Sequence, residues 1–153
     1  MNIALYELDI PQNTGTILRM CACLGVAVDI IEPAGFSLSD KALKRAGLDY
    51  LEHAEMRRHM TYRIFEDWRM NSGRRLVLCS AHAAAAYTKI AYSPTDILLM
   101  GRETSGVPAS VVAAADVAVH IPMRPGLRSL NVAVAAGIIL GEALRQTDGF
   151  AGR

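Results

Sequence analysis

Short apolar runs alternate with longer amphipathic ones along this chain. Ile3–Tyr6, Val26–Ile31, Leu76–Ser80, Ile97–Met100 and Val117–Ile121 are of strand length, largely apolar and rich in leucine and β-branched residues. Such runs predict strands buried on both faces, as in a parallel sheet. Between them the period changes. Ile17, Met20, Cys21 and Leu24 recur at i, i+3, i+4 and i+7, predicting a helix over Thr16–Leu24, with Asn13 or Thr14 as its cap and Gly25 as its stop. A second amphipathic helix is expected over Thr61–Met70, with Ile64, Phe65 and Trp68 on its apolar side. A third, over Leu130–Thr147, has Val132, Ala136, Ile139, Leu140 and Ala143 on one face and Ala135, Gly137 and Gly141 allowing close approach.

The intervening segments read less clearly. A short helix, DKALKRAG, would place Lys41, Lys44 and Arg45 on one polar face. Tyr50–Met56 fits a short strand or irregular chain, the start of AHAAAAYTKIAYSP is helix-prone, and Pro108 opens one or two helical turns through Ser110–Ala115. The order βαβ-α-(β)-α-β-(α)-β-α-β-α predicts a single α/β domain with a mostly parallel sheet.

Composition narrows the class. With 153 residues, 52% hydrophobic and 20% charged, the chain suits one globular domain with a sizeable core. The formal charge is only +1, but residues 41–75 hold nine Lys/Arg against five Asp/Glu. Arg57, Arg58, His59, Arg63 and Arg69 surround the second helix, as a solvated basic face or as a surface for RNA. Cys21, Cys23 and Cys79 lack disulfide or zinc spacing and read as reduced core residues of an intracellular, cytoplasmic protein. No secretory leader is expected, and the longest apolar stretch, Val132–Gly141, is too short for a membrane span.

The candidate chemistry sits where two strands end, in GRETSGVP after Met100 and MRPGLRSLN after Ile121. Neither loop has the GK[ST] end of a P-loop, and the first strand–helix turn lacks GxGxxG. His53, His59, His82 and His120 have no metal-ligand spacing, and His120, inside a strand, reads as structural. Arg19, Arg102, Arg124 and Arg128 are permanent cations suited to phosphates or carboxylates. Glu103 could accept backbone N–H bonds or pair with an arginine, while Ser129 and Asn131 offer neutral polar groups beside the last helix. The residues alone place a ligand at the ends of the 97–100 and 117–121 strands, with an anionic group nearby, and leave it unnamed.

The runs NIALYELDIPQNTGTILRMCACLG, IIEPAGFSLSDKALKRAGLDY, LLMGRETSGVP and IPMRPGLRSLN carry more. In this order, over almost the whole chain, they resemble the SPOUT superfamily of RNA methyltransferases, and within it the tRNA (cytidine/uridine-34) 2′-O-methyltransferases. The resemblance implies one SPOUT domain over 1–153, with a deep C-terminal trefoil knot and cofactor region at about 76–147, acting as a cytoplasmic homodimer. It implies S-adenosylmethionine as methyl donor, no metal, and the wobble nucleotide 34 of tRNA as substrate, leucine tRNAs foremost.

Carried over, the cofactor loops would be Leu78–Ser80, Gly101–Gly106, Ile121–Met123 and Gly126–Leu130. Leu78, Gly101, Glu103, Ile121, Met123, Ser129 and Leu130 would be the contacts, with Gly101 letting the chain approach the nucleoside. Arg19, closing the N-x-G-x-x-x-R pattern, would be catalytic. Because arginine stays cationic at neutral pH, it would orient a phosphate and stabilise the developing alkoxide rather than remove a proton. Asn13, Lys41, Lys44, Arg45, Arg124, Arg128 and Asn131 would contact RNA or support those that do. Ala133, Val134 and Gly141 depart from the serine, asparagine and tyrosine usual in the family. That departure motivates one rival reading, a knotted RNA-binding protein without turnover.

Overall fold

The computed structural model describes residues 1–37, 50 and 53–151. The expected helix carrying Lys41, Lys44 and Arg45 lies outside the described residues. The elements are β1 (Asn2–Tyr6), α1 (Pro11–Cys23), β2 (Ala27–Ile31), β3 (Met56–His59), α2 (Tyr62–Asn71), β4 (Leu76–Cys79), β5 (Ala85–Ala86), β6 (Ile97–Met100), α3 (Ala109–Ala114), β7 (Val117–His120) and α4 (Val132–Gln146), with a 3-10 turn at Tyr87–Lys89. Among the described residues seven strands join one sheet in the order β3-β2-β1-β6-β4-β7-β5. Every strand pair is parallel.

The apolar runs are continuous because both faces of the sheet are covered. On one face Ile3, Leu5, Val28, Ile30, Leu98 and Met100 pack with Ile17, Leu18 and Cys21 of α1 and Ala136, Ile139, Leu140 and Ala143 of α4. On the other, Ala4, Tyr6, Leu76, Leu78, Ile97 and Leu99 pack with Phe65 of α2 and Val111 of α3. Each fully buried leucine or isoleucine contributes about 1.5–3 kcal/mol. A Cβ on Gly137 would lie 3.3 Å from Met20 Sδ, so that glycine sets the approach of α4 to α1, whereas a Cβ on Gly141 would meet nothing within 4 Å.

Several local expectations need correction. Helix α1 starts at Pro11, and its N-cap Ile10 makes no side-chain bond, so neither Asn13 nor Thr14 is a cap. The alanine-rich segment after β4 forms no α-helix: Ala85 and Ala86 pair instead with Val119 and His120. Ile64 of α2 is half-exposed, while Phe65 is fully buried. Cys21 is buried, and burial pushes its thiol up to about 12, but Cys23 is exposed and so not a core residue.

The basic stretch is also rearranged. Met56–His59 is the edge strand β3, which begins only at the last residue of the Tyr50–Met56 segment. His59 is buried with its Nε2 2.9 Å from Asp29 Oδ1, and Asp29 also accepts from Asn2 Nδ2 at 2.7 Å and Arg57 Nη1 at 3.2 Å. Arg69 is buried too, donating Nε and Nη2 to the Glu66 carboxylate at 2.8 and 2.6 Å and Nη1 to Asp116 at 3.0 Å. Arg57 lies 4.4 Å over the Trp68 ring, and Arg58 pairs with Glu32. Most of these cations are committed internally, which leaves Arg63 as the exposed cation of the group without an ion pair among the described residues.

Candidate functional site

Because the strands are parallel, their C-terminal ends share one edge of the sheet. The strand order sets β1, β6, β4 and β7 side by side, so the loops after all four meet there. Chain order reverses between β1 and β6, which in open α/β sheets is where ligands bind.

The β1 and β6 loops are tied together by charge. Asp9 donates its backbone N–H to Glu103 Oε2 at 2.8 Å, and its carboxylate accepts from Arg102 Nη2 at 2.6 Å and Thr104 Oγ1 at 2.7 Å. Those bonds, that from Arg102 foremost, hold the Asp9 carboxyl below its usual range. Arg102 also reaches Glu7 at 3.3 Å. Arg102 therefore neutralises carboxylates of its own chain. Its backbone pairs both ways with Gly106, at 3.0 and 2.9 Å, closing the loop on itself. A Cβ on Gly101 would fall 2.9 Å from the Gly106 carbonyl carbon. The loop itself therefore requires this glycine, a reason apart from any approach to a nucleoside.

Asn13 joins this cluster to the last helix. Its Nδ2 donates to Glu103 Oε1 at 3.0 Å, while its Oδ1 accepts from Asn131 Nδ2 at 2.9 Å. Asn131 in turn caps α4 by accepting from Ala133 N at 2.9 Å and Val134 N at 3.3 Å. Buried Asn13 and the capping Asn131 thus brace three elements. Of the two roles open to Glu103, it takes that of backbone acceptor, although the N–H comes from Asp9 in the β1 loop and not from its own loop.

The other expected residues separate. Ile121 and Met123 are half-buried at the end of β7, and Ser129 and Leu130 are exposed on the irregular chain before α4. Leu78 is 1% exposed, so its side chain belongs to the core beneath the edge. Arg124 and Arg128 are exposed without an ion pair among the described residues. Arg19 stands apart from these residues. Since α1 begins at Pro11, Arg19 stands eight residues in, roughly 12 Å along the axis from the helix start. It is exposed, with its guanidinium 4.7 Å over the Tyr50 ring.

Among the described residues three buried side-chain polar atoms lack a partner: Thr14 Oγ1, Arg102 Nε and His120 Nδ1. All belong to α1, the β6 loop or β7 near this edge. Native proteins leave few such atoms unpaired, so each is open to a ligand or an ordered water. The sequence offers Thr14 only as a helix cap and His120 only as a structural residue, and no local pattern marks either as unpartnered. The half-buried apolar Ile121 and Met123, with the irregular backbone of 121–131, fit a nucleoside cofactor gripped by main-chain groups.

Residues 1–141 match the SpoU rRNA Methylase family. A tRNA (cytidine(34)-2'-O)-methyltransferase of Beijerinckia indica subsp. indica is 57% identical over 97% of this chain and 93% of its own. A solved structure described in terms of 2-OH methylation of C/U34 on tRNA superposes with a TM-score of 0.90 at 39% identity, covering 99% of this chain and 97% of the other. The SpoU methyltransferase AviRb of Streptomyces viridochromogenes, in complex with AdoMet, gives 0.86 at 28% identity, covering all of this chain and 59% of that one.

Proposed function

The chain belongs to the SpoU rRNA Methylase family, and on that premise we propose that it methylates the ribose 2′-hydroxyl of nucleotide 34 of tRNA. The observation that carries the reading is the 57% identity across nearly the full length of both chains with a relative named for this activity. The geometry supports it: the β1 loop, the GRETSGVP loop and the start of α4 converge on Asn13.

S-adenosylmethionine is the proposed methyl donor, in keeping with the AdoMet complex of the AviRb relative. When bound it supplies a methyl carbon made electrophilic by the adjoining sulfonium. Gly101, Ile121, Met123, Ser129 and Leu130, with Leu78 beneath, would hold it. Glu103 fixes the loop rather than reacting, because both its carboxylate oxygens are engaged. Arg19 would contribute fixed positive charge to the substrate phosphate and the developing alkoxide. Arg124 and Arg128 would receive RNA phosphates, together with Lys41, Lys44 and Arg45.

A homodimer follows within the same proposal. Arg19 lies far down α1 from the loops of its own chain, and Ile10, Leu130, Val134 and Ile138 leave large apolar groups exposed beside α1 and α4. A second copy packed there would cover that stripe and bring Arg19 toward the partner's loops. The proposal extends to a trefoil knot in the 76–147 region of a domain spanning 1–153, for which the strand order β6-β4-β7-β5 is suited. Among the described residues no helix is long and apolar enough to cross a membrane, in keeping with a cytoplasmic tRNA substrate.

The test is incubation with labelled S-adenosylmethionine and undermethylated tRNA, followed by nucleoside digestion. The expected product is 2′-O-methylcytidine or 2′-O-methyluridine from position 34, in leucine tRNAs foremost. Tight tRNA binding without any methylated nucleoside would favour the rival reading of an RNA-binding protein without turnover.

A further inference from the structure

A cleft of about 220 Å³ opens beside β1 and β6, lined by Tyr6, Glu7, Arg102, Ser105, Gly106, Val107 and Pro108. Drug-sized ligands occupy roughly 300–1,000 Å³, so this cleft suits one ring of a larger ligand rather than a whole cofactor. Its walls are mixed. Tyr6, braced edge-on by Tyr62 at 5.7 Å between ring centroids, forms an apolar side with Val107 and Pro108. Glu7 and Arg102 form a polar side.

Two features mark that polar side as built for an occupant. Glu7 has a φ of 46°, one of two non-glycine residues in the left-handed region among those described. Strain of this kind gathers at binding sites. Arg102, meanwhile, leaves its buried Nε unpartnered. Its tight contact is with Asp9 at 2.6 Å, while Glu7 stands at 3.3 Å. An entering group can take the Glu7 carboxylate without breaking the Asp9 pair.

Charge selects the occupant. Glu7 and Asp9 outweigh the single cation Arg102, which disfavours a free phosphate and favours a neutral ring with donor and acceptor edges. We propose that this cleft receives the base of the target nucleotide and that Glu7 reads it as cytosine. The exocyclic amine donates to the Glu7 carboxylate, as cytosine amines do to acidic side chains elsewhere. The ring nitrogen or carbonyl accepts from Arg102, and the ring lies against Val107 and Pro108. Uracil presents a carbonyl where cytosine has its amine, so the carboxylate ranks it below cytosine as a substrate without shutting it out. The inference rests on the tRNA reading above and adds to it the residue that discriminates the base.

Two tRNA transcripts differing only in cytidine or uridine at position 34 provide the test. Glu7→Gln is expected to lower kcat/KM on the cytidine substrate by about tenfold or more. It should also raise the uridine-to-cytidine ratio, since a glutamine amide can donate to the uracil carbonyl, while affinity for S-adenosylmethionine stays unchanged. Val107→Phe, which fills the cleft, should raise KM for both tRNAs with cofactor affinity again unchanged. Absence of transfer by the wild-type protein to either tRNA would overturn the parent reading and this inference with it. Wild-type transfer with an unaltered uridine-to-cytidine ratio in Glu7→Gln, or full activity in Val107→Phe, would overturn the base assignment alone.

Discussion

Asn131 Nδ2 donates to Asn13 Oδ1 at 2.9 Å across 118 positions of sequence, and each residue spends its remaining side-chain atom on a different element. Asn13 reaches the β6 loop through Glu103, and Asn131 caps α4. One hydrogen bond thus sets the start of the last helix relative to the first.

Substitution at Asn131 separates capping from bracing. Asn131→Asp keeps the cap oxygen but loses the donor to Asn13, whereas Asn131→Ala loses both. Urea unfolding should rank wild type above Asp above Ala, with Ala costing about 1–2 kcal/mol from the cap and a further ~1 kcal/mol from the lost bond. Methyl transfer should fall in both variants. An aspartate variant with wild-type turnover would show that the brace is unnecessary.

Arg19→Ala should abolish transfer while calorimetry finds S-adenosylmethionine binding intact. Gly101→Val should abolish transfer by a different route, with S-adenosylmethionine binding itself lost, because a Cβ there meets Gly106 backbone at 2.9 Å and forces the loop open. Mixed dimers of the two inactive variants should recover part of the wild-type rate, since one assembled site would be free of both changes. Failure of complementation in verified heterodimers would place Arg19 and the cofactor loops of one chain in the same site.

Asp29→Ala should be the most damaging single change outside the site. Asp29 is 0% exposed and accepts from Asn2, Arg57 and His59. Removing the carboxylate strands the buried donors at about 3–5 kcal/mol, of which the half-exposed Arg57 accounts for little. Asp29→Asn, which keeps one acceptor oxygen, should lose less. Denaturant midpoints compare the two directly.

Acid should loosen the C-terminal helix through Glu142. Hydrogen bonds from Arg145 and Gln146 lower its carboxyl from the usual 4.5 to about 2. Its stabilising effect is therefore complete above pH 4.5 and is lost as pH falls toward about 2. Gln146 also bonds Ile90 O and Tyr92 N, so the loss reaches the segment before β6. Thermal midpoints of wild type should fall more steeply over this window than those of Glu142→Gln.

The strands β1, β4, β6 and β7 were legible because burial on both faces demands unbroken apolar runs. Strand β3 was not: as an edge strand it exposes Met56, Arg57 and Arg58, and its composition reads as surface. The start of α1 was hidden because Gln12, Asn13 and Thr14 look like turn residues, while Asn13 serves a tertiary partner instead of a cap. His59 read as a solvated cation because the carboxylate that meets it, Asp29, comes from distant sequence; Arg69 has a local partner in Glu66, and only its second carboxylate, Asp116, is remote. At the site, motif resemblance located the loops but not their wiring. Which carboxylate Arg102 meets, and how far Arg19 lies from the edge, depend on where α1 begins.

The position of β6 has a consequence for how the protein is made. Strand β1 sits between β2 and β6, pairing Asn2 with Ala27 on one side and with Ile97 on the other. At roughly 5–20 residues per second, the ribosome needs about 3–14 s to go from the end of β2 to the end of β6. Throughout that interval β1 offers an unpaired edge and uncovered leucine and isoleucine side chains to other nascent chains. Fragments ending before Ile97 should therefore aggregate, and the finished chain should gain its solubility abruptly, when its sixth strand closes the gap at the centre of the sheet.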